Sequence, residues 1–79
     1  MKEEYRNKYR LLGVNIAYYR KRAGLTQEQL AERIGKSWSF LSQIEANNGA
    51  QIKGLSLETL FDISEVLNTP SSAFFERID

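Results

Sequence analysis

The sequence predicts a compact all-α domain of five helices. Three observations carry that expectation: apolar residues recur three and four apart, side chains suited to helix N-termini stand at Thr26 and Ser37, and no segment alternates as a strand would. Turn-forming residues are confined to short breaks around Gly24, Gly35, residues 46–54 and residues 68–70.

The first helix is expected over residues 5–23. Leu12, Ile16, Tyr19 and Ala23 share one apolar face, and Gly24 can end the helix in the left-handed conformation. Its opposite face is basic. In the second helix Thr26 can cap the first turn, Gln29 can reach back to it, and Leu25 can pack on Leu30. It ends near Gly35, and Ser37 can cap a third helix running to about Glu45 with Leu41 and Ile44 inward. Two helices joined through a glycine-containing turn make a steep αα corner, a helix-turn-helix over residues 27–45. A fourth helix begins at Ser56 and is expected to bury Leu57, Leu60, Ile63, Val66 and Leu67, with Asn68 as its stop. Thr69 and Pro70 then start a fifth, because proline suits the first helical position. Phe74, Phe75 and Ile78 give that helix an apolar side.

Seventy-nine residues accommodate one domain, expected to span 1–79 without a second, ligand-sensing unit. Apolar residues are 42% and charged residues 27%, enough apolar surface to fold rather than remain disordered. The chain has neither cysteine nor histidine. That removes disulfides, thiolate nucleophiles, Cys-ligated metals and the commonest general base and zinc ligand, so no metal or cofactor is expected. Carboxylates spaced four apart, Glu28 with Glu32 and Glu58 with Asp62, are common on solvated helices and come with no nucleophile, so an enzyme is not expected. No signal-peptide core and no long apolar run are present, and the expected setting is the cytoplasm, away from membranes.

Net charge is only +1, but its distribution is lopsided. Residues 1–36 hold nine Lys or Arg against four Glu, and residues 37–79 hold two against six Asp or Glu. The basic half can approach phosphates, although mixed charge is also ordinary for a soluble surface.

Within the corner each inward residue has a steric reason. Leu30 and Ile34 meet Leu41 and Ile44, Ala31 is small enough for close helix approach, and Gly35 permits the turn. The stretch Leu25-Thr-Gln-Glu-Gln-Leu-Ala-Glu-Arg-Ile-Gly35, then Ser37, then Leu41-Ser-Gln-Ile-Glu45, and later Ser56-Leu-Glu-Thr-Leu60, resembles the phage-repressor and Cro-like helix-turn-helix regulators, also called the xenobiotic-response-element family. The resemblance extends over residues 12–75. It implies a compact repressor-like DNA-binding domain and a transcription regulator, with repression as the expected action.

The resemblance further implies that the helix from Ser37 lies in the major groove with Ser37, Trp38, Ser39, Ser42 and Gln43 facing bases. The amide of Gln43 can offer a donor and an acceptor to the N6/N7 edge of adenine; serines serve equally as caps, phosphate ligands or plain surface. Trp38 stands where the family more often has a polar or basic residue. Its indole can press on a thymine methyl or a sugar, or fold back with Phe40 onto the core. Lys36 replaces the family's apolar residue after the turn glycine and can reach a phosphate. Gln27 occupies a phosphate-contact position of the family, at a helix N-terminus that favours an anion. Arg20 and Glu45 occupy positions that pair as ions in related repressors, which would fix the angle of the third helix. The connection 46–55 is about four residues longer than usual in the family. Asn47, Asn48 and Lys53 are candidate phosphate ligands there, against an ordinary polar loop with Ile52 inward.

Such free-standing domains usually act as homodimers on a palindromic DNA operator, and Phe75 and Ile78 are the candidate dimer surface, with Phe74 in the core. The alternative is a protein-binding adaptor or antitoxin-like module that uses the same fold to hold a protein partner.

Overall fold

A computed structural model describes residues 3–46 and 55–78. Among them are α1 (Glu3–Arg22), α2 (Gln27–Arg33), α3 (Trp38–Glu45), α4 (Leu57–Val66) and a C-terminal 3-10 helix (Ser71–Phe75), and no strand. The all-α expectation holds, with the fifth element tighter and shorter than an α-helix.

Local chemistry sets each boundary. α1 carries Glu3 and Glu4 in its first turn and Arg20, Lys21 and Arg22 in its last, matching the helix dipole at both ends. It stops where Gly24 takes φ +77°. The Thr26 hydroxyl accepts from the Gln29 backbone N–H at 3.1 Å and the Gln29 side-chain Oε1 accepts from the Thr26 backbone N–H at 2.8 Å, a reciprocal capping box. Gly35 at φ +71° lets the chain turn from α2 into α3, a conformation that would strain any side chain with a Cβ. Ser37 and Ser56 cap α3 and α4 by accepting from the N–H groups of Phe40 and Thr59, each at 3.0 Å. Asn68 ends the α4 region at φ 50°, as a residue that tolerates the left-handed region should.

The core assembles Leu12 and Ile16 from α1, Leu30, Ala31 and Ile34 from the α2 region, Leu41 and Ile44 from α3, Leu60, Ile63 and Leu67 from the α4 region, and Phe74. Leu25 and Phe40 pack on it half-buried, and Tyr19 meets Phe74 edge-on at 5.7 Å. α1 lies against the 3-10 helix and α3, and α2 against α3 and α4.

Two α1 residues outside the apolar pattern control this packing. Gly13 is buried where α1 passes the end of α3. A Cβ there would sit 3.3 Å from the carbonyl carbon of Ile44 and closer still to its oxygen. Asn15 is 1% exposed, and its Nδ2 donates to the carbonyl oxygens of Phe74 at 2.8 Å and Glu76 at 2.7 Å. A buried amide so engaged satisfies carbonyls that would otherwise face an apolar interior.

Three expectations need correction. The final helix is not an α-helix begun by Pro70: Pro70 is its extended N-cap at ψ 137°, and Asn15 draws the carbonyls of Phe74 and Glu76 onto α1, so the segment closes as 3-10. Leu57 is not in the core but 68% exposed, because the inward line of α4 runs through Leu60 and Ile63 and leaves Leu57 beside exposed Phe61. Ala23 is exposed, since α1 has already ended and Ala23 lies in the turn.

Candidate nucleic-acid interface

α3 has two distinct sides. Leu41 and Ile44 are buried, whereas Trp38, Ser39 and Gln43 are exposed and Ser42 is half-buried. Positions 38, 39, 42 and 43 repeat at one helical turn and form a single outward face. Eight residues rise about 12 Å, a length that a B-DNA major groove of about that width can receive.

The helix is anchored at both ends. Arg20 and Glu45 form a bidentate pair, Nε to Oε2 at 2.7 Å and Nη2 to Oε1 at 2.8 Å, with side chains only 9% and 5% exposed. The remaining guanidinium nitrogen, Nη1, donates to the carbonyl of Leu25 at 2.7 Å, tying the pair to the turn before α2. Planar, forked geometry of this kind fixes direction as well as distance.

The same carboxylate serves a second donor. Gln27 Nε2 donates to Glu45 Oε1 at 3.0 Å, and Gln27 Oε1 accepts from Trp38 Nε1 at 3.0 Å. A continuous chain therefore runs from Trp38, the first residue of α3, through Gln27, the first of α2, to Glu45, the last of α3, and on to Arg20 of α1. Gln27 has one orientation compatible with both neighbours. Flipping its amide would face two N–H donors at Trp38 and two acceptors at Glu45.

Ser37 is exposed but its hydroxyl caps α3. Lys36 is exposed with its Nζ 5.5 Å from the centre of the Phe40 ring. Phe75 and Ile78 are 58% and 38% exposed and line separate shallow grooves along α1, Phe75 with Tyr5, Tyr9 and Leu12, and Ile78 with Val14 and Tyr18. Asn47, Asn48 and Lys53 lie outside the described residues. Among the described residues no His, Cys, Asp or Glu cluster could hold a metal ion, and no helix is long and apolar enough to cross a membrane.

The links of Gln27 to Trp38 and Glu45 were not foreseen from the sequence. An indole N–H has no role but donation, and the only signal was that Trp38 and Gln27 each open a helix of the same corner. Gly13 had a clearer signal. A glycine inside a helix costs about 1 kcal/mol against alanine, so its presence there asks for a packing reason.

A family model described as helix-turn-helix matches residues 16–74, from the middle of α1 through all of α2, α3 and α4 into the 3-10 helix. No curated protein matches the chain.

Proposed function

Since the chain belongs to the helix-turn-helix family of the phage-repressor and Cro-like type, a family of DNA-binding transcription regulators, we propose that it represses transcription by seating α3 in the major groove of a specific operator. The observation that carries this reading is the outward face of Trp38, Ser39, Ser42 and Gln43 on a helix whose two ends are held by one hydrogen-bond chain. Rigid presentation lowers the entropy lost on binding and makes a fixed side-chain pattern readable.

In this reading Gln43 hydrogen-bonds an adenine edge, Ser37, Ser39 and Ser42 line the groove, and Trp38 adds contact at the front of the helix. Gln27 and Lys36 contact phosphates and set the register, a role that extends to Asn47, Asn48 and Lys53 in the connection. Gln27 retains one amide hydrogen beyond its bond to Glu45, which is the donor a phosphate would use. Two copies meet through Phe75 and Ile78 and place their α3 helices on half-sites about 34 Å apart.

The test starts from duplexes selected by the protein out of a randomised library. Wild type should bind a selected duplex with affinity that falls steeply as salt rises, and Gln43→Ala should lose about 1–3 kcal/mol there while binding unselected duplex as wild type does. Equal loss on both duplexes would remove Gln43 from base reading. For assembly, wild type should sediment as a dimer at micromolar concentration and Phe75→Ser with Ile78→Ser as a monomer; a wild-type monomer would end the dimer reading.

A second reading rests on Leu57 and Phe61, apolar, adjacent on α4 and more than half exposed. They would suit a protein partner of an adaptor or antitoxin-like module. Failure to select any duplex, together with salt-insensitive association with a protein, would favour it.

A further inference from the structure

We infer that Trp38 determines specificity for thymine, reading its C5-methyl with the apolar face of an indole whose only polar atom already donates to Gln27. The inference rests on the groove-binding reading of α3 above.

An indole carries a single hydrogen-bonding group, the Nε1–H, and it is a donor only. Here that donor is given to Gln27 Oε1 at 3.0 Å, while the residue remains 54% exposed at the first turn of α3. No hydrogen bond is left for a base edge. What the indole itself offers outward is therefore apolar, and the one apolar feature that distinguishes bases in the major groove is the thymine methyl. Placement of the ring follows from the same bond. The link to Gln27 holds the indole at the junction of α2 and α3, and the ring of Phe40 is instead faced by Lys36 Nζ at 5.5 Å. The indole is thus kept at the front of the corner rather than laid over Phe40.

The arrangement also explains why a large apolar side chain is tolerable on an otherwise polar face. Bonded to Gln27 at its nitrogen, the ring has less rotational freedom to lose on binding than an unbonded indole would, which favours a small apolar contact.

The experiment compares duplexes that differ by one methyl. From a duplex selected by wild type out of a randomised library, each thymine is replaced in turn by deoxyuridine. Wild type is expected to lose about fourfold in affinity at one thymine per half-site, the effect of one buried methyl group, and to be indifferent at the others. Trp38→Ala, checked for an unchanged circular dichroism spectrum, should bind more weakly overall and no longer distinguish thymine from uracil at that position. Gln43→Ala should keep the distinction. Sequence-selective binding by wild type with no deoxyuridine effect anywhere would overturn the inference and leave the DNA reading standing. A deoxyuridine effect that persists in Trp38→Ala would assign the methyl to another residue. Selection that enriches no sequence at all would overturn both.

Discussion

Gly13→Ala is expected to destabilise the domain by about 3 kcal/mol, the upper end of what overpacking a close-fitting interior usually costs. Two effects oppose each other at this site. Alanine is favoured over glycine in a helix interior by about 1 kcal/mol, so on propensity alone the variant should be more stable. Against that, the new methyl would press into the carbonyl group of Ile44, which is backbone and cannot rotate away as a side-chain tip would. Relief requires α1 and α3 to separate, opening space around Ile16, Leu41 and Ile44, all at most 1% exposed. For a domain of this size a loss of that order lowers the melting temperature by about 12–24 °C. A thermal melt followed by circular dichroism reads it directly. An unchanged or raised melting temperature would mean that the helices do not approach as closely as this structure has them. The functional effect should exceed the stability effect alone, because the displaced element is α3. At temperatures where the variant is fully folded, its affinity for a selected duplex should still be reduced.

Much of this architecture is written locally. The caps at Thr26 and Ser37 and the stops at Gly24 and Asn68 need only a few neighbouring residues to act, which is why the expected ends of α2, α3 and α4 lie within a residue or two of the observed ones. The inward faces of α2 and α3 follow as simply, since Leu30, Ile34, Leu41 and Ile44 recur at helical spacing with polar residues between them. α4 is different. It is apolar on two faces, so periodicity admits either Leu57 or Phe61 beside the Leu60 line, and only packing against α2 and the 3-10 helix decides that both stay outside. The C-terminal element depends on a partner 59 to 61 residues away, because the carbonyls of Phe74 and Glu76 are taken by Asn15. No window of local sequence contains that information. In the candidate interface the residue types facing outward on α3 were legible, whereas the bond between Trp38 and Gln27 depends on the rotamers of two long side chains brought together by the corner. A hydrogen-bond partner chosen by rotamer is set by the folded geometry, and spacing carries no trace of it.

Arg20→Met is expected to cost about 3–5 kcal/mol, because it leaves the carboxylate of Glu45 buried without its counter-charge. That is a large part of the stability a small domain possesses, typically about 5–15 kcal/mol. Arg20 donates twice to Glu45 and once to the Leu25 carbonyl, so three bonds are lost in one substitution. Gln27 Nε2 would remain on Glu45 Oε1, but one neutral donor does not replace a guanidinium fork. Replacing both members, Arg20→Met with Glu45→Met, should return most of the loss, since two apolar side chains of similar length can occupy a site where the charges were already desolvated. Denaturant unfolding of the two single variants and the double variant measures this coupling. What the double variant should not recover is DNA recognition. Without Glu45 the amide of Gln27 loses the acceptor that holds its Nε2, the indole of Trp38 loses a fixed partner, and the end of α3 is no longer tied to α1. Affinity for a selected duplex should therefore fall while stability is near wild type, and the preference over unselected duplex should narrow, because base contacts depend on angle more strictly than phosphate contacts do. A double variant that folds and discriminates like wild type would confine the pair to stability. An Arg20→Met variant as stable as wild type would mean that water reaches Glu45, and the buried pair could not then be what fixes the reading helix.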